Sequence, residues 1–424
     1  MYWEDVVSRN IKKFAIVGMG NRGLGAFAKG ILGFPNKGLP EFKKYARLVA
    51  ICEPNSVRLR VAVDELKQPD LLAYTDFDKM LKEADFDILV VATPDRTHAD
   101  IVVKAFNAGK NVVCEKPLAT KVEDCDRMIA AAEANGRWLR AAQNARYGPQ
   151  SQKLKSMIAE GAIGNLKLVT YEEMLDTDHG ADYFRRWHRR KENSGGLLLH
   201  KASHHFDWLN WVIGGQISRV AAFGDTSFYL PKEKRGTCCR TCDYTAECPF
   251  YYDLPGKWDG LYMRMYGEGE HEDGYIRDGC VWDPEIDIED RIAVIGEYDN
   301  GVKLNYTLSC FNPYETVKMA FIGDGGRIEV PGDRTIHYYP IHTCEKHVIE
   351  IKPGTGGHGG SDTAILKSII MDFDAIANAP ADGYQARHAV LVGSMANKSI
   401  AEKRVVLAEE FGPQPGRKQP VTKA

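Results

Sequence analysis

Residues Phe14 to Gly23 read F-A-I-V-G-M-G-N-R-G, a short apolar run that breaks into a glycine-rich turn. Apolar positions then recur at helical spacing over 24–32. A strand, a G-x-G-x-x-G turn and a helix, in that order, restrict the chain to one kind of beginning, the first crossover of a βαβ unit. Gly18 permits the sharp turn, Gly20 lets the backbone approach an anion, and Gly23 lets helix and strand pack closely. The helix N-terminus, at Asn21 and Arg22, then offers unpaired N–H groups to a dinucleotide pyrophosphate. A glycine loop with no ligand is the alternative. The apolar run before the turn and the helical spacing after it favour the cofactor.

The alternation continues. Ala46–Cys52 reads as a β-strand ending in Glu53, whose carboxylate suits the adenosine ribose hydroxyls and repels a 2′-phosphate, so NAD is expected ahead of NADP. The gap from the glycine turn exceeds the usual ~20 residues, and a Pro/Gly-punctuated insertion over 33–45 accounts for the excess. A plain helix-start acid is the other reading of Glu53, and Arg58 and Arg60 keep NADP open. Asp87–Thr93 is a buried strand running into Pro94, Asp95 and His98, with a helix over 97–108. Asn111–Cys114 runs into Glu115-Lys116-Pro117 ahead of a helix over 122–135. Strands and helices at this pitch predict an α/β fold, a doubly wound parallel sheet of Rossmann type over 1–147. Gly18, Glu53, Thr93 and Lys116 then all lie at strand carboxyl ends, where such sheets bind their ligands.

Past 148 the texture changes. Stretches beginning at Leu166, Arg291, Val302 and Val317 alternate like half-exposed strands, with turn signals such as Asp299-Asn300-Gly301 between them. Helices are expected over 361–377 and 384–402. Residues 148–411 therefore read as a second, α+β domain with a mainly antiparallel sheet, and the Gly/Pro/Lys-rich tail 412–424 as mobile. At 424 residues the chain is long enough for two or three such units. A formal net charge of −3 argues against nucleic acid or an anionic membrane as the main partner. No apolar run approaches the roughly 20 residues of a membrane helix. The first ten residues carry two acids and no apolar segment, unlike a secretory signal. Buried, reduced thiols such as Cys52 and Cys114 suit a cytoplasmic location.

Chemistry concentrates in a few places. Lys116 follows a buried strand and precedes a proline; burial there would lower its pKa toward proton transfer, the alternative being a surface lysine. The segment Ser194 to Trp211 holds His200, Lys201, His204, His205 and Asp207. On one continuous helix His200, His204 and Asp207 would share a face, with Lys201 and His205 on the next. General acid/base histidine is the preferred reading over a metal site, which lacks an H-E-x-x-H pattern, and over buried structural histidines. Asp182 to Arg190 carries Tyr183, Arg186, Trp187 and His188, a wall able to meet an anionic group or a sugar face, or simply a solvated basic loop. The glycine-rich run around His358 either brings backbone against substrate or is a linker.

In order, G-x-G-x-x-G, Thr93-Pro94-Asp95 with His98, Glu115-Lys116-Pro117, and Gly195-Gly196 followed by His204 and Asp207 resemble the glucose–fructose oxidoreductase, inositol dehydrogenase and rhizopine catabolism (Gfo/Idh/MocA) family. The resemblance covers about residues 12–215. It implies a large open antiparallel sheet lining the substrate site, NAD(P)-dependent redox chemistry on sugar or polyol hydroxyls, and a homo-oligomer, dimer or tetramer, built through that sheet. By position, Lys116 would hold substrate and nicotinamide and His204 would be the acid/base histidine. An aspartate common four residues before that histidine is replaced by His200, so Lys201 is a candidate to share the proton's path. Similarity to a branch with a longer second domain would put Tyr147 beside the nicotinamide, and Arg146, Tyr183, Arg186, Trp187, His188, Lys201, His205 and His358 about the substrate.

Cysteine is otherwise sparse in pattern, but Cys239-x2-Cys242 with Cys248, within 236–250, offers three soft ligands that Cys280 or Cys238 would complete to four. Structural zinc is the preferred reading; an iron–sulfur cluster, free thiols and a disulfide are the others. Three functions remain: an NAD(P)-dependent sugar or cyclitol dehydrogenase, a glycoside-cleaving enzyme working by transient C3 oxidation and elimination, and a non-catalytic NAD-binding regulator.

Overall fold

The computed structural model describes residues 11–232, 236–343, 345–352, 354, 357–371 and 380–413. The first ten residues, Gly356, the end of the helix expected over 361–377 and nearly all of the expected mobile tail lie outside them.

Six strands form a parallel sheet: β1 (Lys12–Val17), β2 (Ala46–Cys52), β3 (Leu72–Tyr74), β4 (Ile88–Val91), β5 (Asn111–Cys114) and β6 (Leu139–Ala141). Their spatial order is 6-5-4-1-2-3. All six are short; β1, β4 and β5 are rich in side chains with no exposure at all, as befits strands covered on both faces. The register aligns Val17 with Cys52 and Val91, and Val91 with Cys114. Gly18, Glu53, Ala92-Thr93 and Glu115-Lys116 therefore emerge side by side along one sheet edge.

The second sheet holds nine strands: β7 (Leu166–Asp176), β8 (Ile217–Asp225), β9 (Arg291–Tyr298), β10 (Lys303–Asn312), β11 (Thr316–Gly323), β12 (Gly326–Val330), β13 (Thr335–Pro340), β14 (His347–Glu350) and β16 (Val406–Leu407). All pairings are antiparallel except β7 with β10. Helices Ser203–Ile213 and Gly383–Glu402 pack on its inner face. The outer face is open: Phe223 and Ile295, neighbours on β8 and β9, are 77% and 60% exposed.

The helix expected over 361–377 is present as Ser361–Met371 as far as the described residues run. One feature departs from the sequence reading: β15 (Ala381–Asp382), from the part assigned to the second domain, pairs antiparallel with β6 and extends the first sheet. Main-chain hydrogen bonding at an open edge overrides sequence order here. The described residues of 226–290, between β8 and β9, contain no ladder strand and fold as a long excursion. Among the described residues no helix is long and apolar enough to cross a membrane.

Candidate functional site

The glycine turn has the geometry its sequence predicts. Gly18 adopts φ +87°, and a Cβ there would lie 2.6 Å from Ala92 O. A Cβ on Gly23 would come within 1.9 Å of Gly18 O, so a side chain at 23 would force helix and turn apart. A π-helical segment, Asn21–Ala28, opens directly after Gly20, which caps it. Next to it, Glu53 is almost fully buried. It accepts hydrogen bonds from Met19 N (2.9 Å), Asn55 N (3.2 Å) and the Arg58 guanidinium (2.9 Å). Arg58 is shared with Asp273 at 2.9 Å. An open turn at Gly20, a helix N-terminus and a carboxylate at the end of β2 are what a dinucleotide needs, so the residues present fit the cofactor.

Arg22 does not point to solvent. It binds Glu115 at 2.7 Å and Asp362 at 3.3 Å, joining the glycine turn to the β5 edge and to the Ser361–Met371 helix. Asp362 also accepts from Asn144 (2.9 Å) and pairs with His358 Nδ1 (2.7 Å). Against its burial, His358 and Arg22 hold that carboxyl well below the usual range. His98 has no exposure, and its two ring nitrogens face Pro117 O and Thr93 O, each at 3.0 Å. It therefore ties the turn Thr93-Pro94 to the Glu115-Lys116-Pro117 turn, where the Lys116–Pro117 peptide is cis. It is a positioning residue between two motifs.

Lys116 crosses the crevice: its Nζ donates to the His200 carbonyl oxygen at 2.9 Å. Burial draws its ammonium down to about 8, opposed by Glu115 and Asp95. His200 Nδ1 pairs with Asp95 Oδ2 at 2.6 Å. Burial raises the Asp95 carboxyl to about 7, against the pull of His98 and Lys116. Burial, together with Lys116, Arg186 and Lys201, keeps the His200 imidazole well below its usual pKa. His204 is lowered likewise by burial and by His205, Lys201 and Lys116, and its Nδ1 is buried without a hydrogen-bond partner. The lowered pKa keeps the His204 imidazole neutral, and its vacant ring nitrogen leaves one hydrogen-bonding position open. Thus Lys116 is hydrogen-bonded to the His200 main chain and close enough to both imidazoles to depress their pKa values.

The face expected to join His200, His204 and Asp207 does not form. The helix stops at His200 and restarts at Ser203, so His200 lies on a separate helical segment from His204 and Asp207. Asp207 has no exposure and holds Arg146 by two bonds of 2.6 Å, with Arg146 itself 1% exposed. The expectation that Arg146 meets substrate is corrected: both its bonding edges are spent inside the protein, on Asp207 and Gln385. Lys201 and His205 do share a face, both on Glu173, at 3.0 and 3.4 Å. Burial lowers His205 to about 3, against the pull of Glu173. Its Nδ1 faces Tyr306 OH at 2.9 Å, so it too is committed. The Tyr147 hydroxyl donates to Ser368 at 3.3 Å.

The aromatic wall is assembled as predicted in part. The His200 ring lies 4.5 Å from His188, 5.2 Å from Trp187 and 5.8 Å from Tyr183. Arg186 and Arg277 both grip Asp182, each at 3.0 Å. His188 is buried, with Nδ1 on Tyr183 O and Nε2 unpartnered. His358 is mostly exposed, reaching the site only through Asp362. Sequence reasoning missed Asp95 as a partner of His200, Asp362, and Gln143, a buried amide after β6 with both polar atoms unpartnered. Asp95 had a signal, since it ends the Thr93-Pro94-Asp95 motif; Gln143 and Asp362 had none.

Cys238, Cys239, Cys242, Cys248 and Cys280 line one cavity of about 20 Å³, and all are free. Among the described residues, however, no group of three or more His, Cys, Asp or Glu is arranged to hold a metal ion, so the expected zinc has no formed site. Two thiols face other partners: Cys238 meets Thr241 and Cys239 accepts from Arg185.

Known proteins resemble the chain along its whole length. An oxidoreductase-family model with an NAD-binding Rossmann fold matches residues 12–143, and the family's C-terminal alpha/beta domain matches 155–407. The oxidoreductase YteT of Bacillus subtilis is 30% identical over 440 residues, covering 95% of this chain and 99% of the relative. Myo-inositol 2-dehydrogenase of Thermotoga maritima is 24% identical, covering 86% and 92%. An Agrobacterium radiobacter oxidoreductase, solved with NAD+, L-tartaric acid and magnesium, superposes with a TM-score of 0.69 at 16% identity, covering 95% and 100%. With a glycine cradle at one sheet edge, a lysine reaching from it to a histidine segment, and both family domains matched in order, this chain belongs to the Gfo/Idh/MocA family of NAD-binding oxidoreductases.

Proposed function

We propose that the chain is a cytoplasmic, NAD-dependent dehydrogenase acting on a ring hydroxyl of a sugar, cyclitol or sugar derivative. The observation that carries this is the Lys116–His200 hydrogen bond, which brings a lowered-pKa amine from the cofactor edge against the second domain's imidazoles. A bound nicotinamide supplies the hydride acceptor. Gly20 and Asn21 would hold the dinucleotide's pyrophosphate, with Gly18 and Gly23 keeping the turn tight against the helix, and Glu53 would take the ribose. Lys116 and His204 handle the hydroxyl proton between them: the neutral Lys116 amine takes it, and the neutral His204 ring holds the hydroxyl oxygen. Asp95 positions His200, whose carbonyl oxygen in turn positions Lys116. Trp187 and Tyr183 offer apolar faces to a ring. NAD is favoured over NADP because Arg58, the cation nearest Glu53, is already neutralised by Glu53 and Asp273.

One observation supports a second reading, redox-neutral glycoside cleavage: His188, buried with a vacant Nε2 and tilted against His200 at 4.5 Å, is a spare base. A panel of sugars, cyclitols and glycosides with NAD or NADP tests both. NADH accumulating in step with substrate consumed supports the dehydrogenase, and aglycone release without NADH supports cleavage. Neither signal on any member would refute both. The exposed Phe223 and Ile295 support a homo-oligomer through the open sheet face, which light scattering on the eluting protein checks. Metal analysis decides the zinc expectation: one ion per chain sustains it and none closes it.

A further inference from the structure

The excursion 226–290 belongs to the second domain, yet part of it is bound to the first. Leu254, Tyr262, Met265 and Tyr266 are buried in one apolar cluster with Leu24, Phe27, Ile51 and Leu59, the side chains beneath the glycine turn and β2. Tyr266 OH accepts the Asn21 N–H at 3.0 Å, one of the helix-terminal donors an anion at this turn requires. It is also the one heavy atom within 4 Å of where a Cβ on Gly20 would point. Beyond it the chain meets the helix that follows Glu53. Gly269 O accepts from Asn55 Nδ2 at 2.7 Å, Glu272 accepts from Ser56 N and Oγ at 2.6 Å, and Asp273 pairs with Arg58 at 2.9 Å. Gly269 has no room for a side chain, since a Cβ would lie 2.8 Å from Asn55 Oδ1. These bonds run from the pyrophosphate end of the cradle to its ribose end.

We propose that residues 262–273 are a strap across the dinucleotide cradle, with Tyr266 a phosphate-side contact and Glu272 and Asp273 its latch, so that the cofactor is retained between turnovers. The inference rests on the NAD-binding reading of the cradle. The Tyr266 hydroxyl, now accepting from Asn21, is a donor for a phosphate oxygen once an anion takes that N–H. The latch joins exposed Glu272 to the Ser56 N–H and hydroxyl, and a partly exposed Asp273 to the buried Arg58; the ionic Asp273 pair weakens modestly with salt. Exchange of the dinucleotide requires local opening of this segment, a kind of motion familiar from active-site lids.

The full-length protein is loaded with NADH and chased with excess NAD, following the loss of energy transfer from tryptophan to bound NADH. NAD content after desalting is measured in parallel. Tyr266→Phe and Glu272→Ala/Asp273→Ala are each expected to release NADH about tenfold faster than wild type and to lose NAD on desalting, with thermal unfolding of the empty proteins little changed for the conservative Tyr266→Phe. Equal release rates in all three would overturn the strap while leaving cofactor binding standing. No NADH binding by any of them, even at millimolar concentration, would overturn the strap together with the reading beneath it.

Discussion

The parallel sheet and the 226–290 excursion hold their shape by different means. In the sheet, backbone ladders and apolar side chains do the holding, and the register alone brings Gly18, Glu53, Thr93 and Lys116 together. In the excursion, buried charges replace ladders. Asp290, with no exposure, accepts hydrogen bonds from the backbone of Ser227, Phe228 and Tyr229. Asp278 and Glu270 clamp Arg240, and Asp182 clamps Arg277. The contrast teaches that one region tolerates side-chain change so long as volume is kept, whereas the other depends on individual polar atoms.

The sharpest way to break the contrast is at an intolerant point beside the sheet. Gly23→Ala drives a methyl into Gly18 O, so the cradle must open; NAD binding by calorimetry should fall beyond detection, although a single methyl is the smallest change available. Next, Asp290→Ala strands several buried N–H groups and should cost about 3 kcal/mol in denaturant unfolding. Val90→Ile, a one-methylene change in the sheet, should cost nearer ~1 kcal/mol. A third test separates chemistry from scaffold. Lys116 must be a neutral amine to accept a proton, so alcohol oxidation should rise about tenfold per pH unit and level off above about pH 8. Lys116→Met should remove that limb and lower kcat by about 10²–10⁴-fold. The smallest effect is on selectivity: Asp273→Asn leaves Arg58 with one carboxylate and should raise kcat/KM with NADP a few-fold.

Legibility followed the same division. The glycine turn, Glu53 and Lys116 were readable because strand ends are announced locally, by apolar runs stopping at turn residues. The second sheet was readable from alternation, and its outline was right. Tyr266 and Asp273 were not, because their partners Asn21 and Arg58 lie 245 and 215 residues away and no local period encodes such pairs. The histidine segment misled for a related reason: helical spacing was extended through Lys201-Ala202, where the helix breaks, so Asp207 went to Arg146 instead of the imidazoles. Arginines in particular cannot be assigned from pattern, since a solvated, a paired and a substrate-facing guanidinium look alike in sequence.

The antiparallel strand Ala381–Asp382 carries a lesson about assembly. Because it caps the β6 edge and leads into the helix packed on both sheets, the nucleotide-binding half stays unfinished until nearly the whole polypeptide has been synthesised. A fragment cut at the apparent boundary near residue 147 would present a bare edge, open to pairing with other chains. Expression of the isolated N-terminal half should therefore give aggregates where the intact protein gives soluble material.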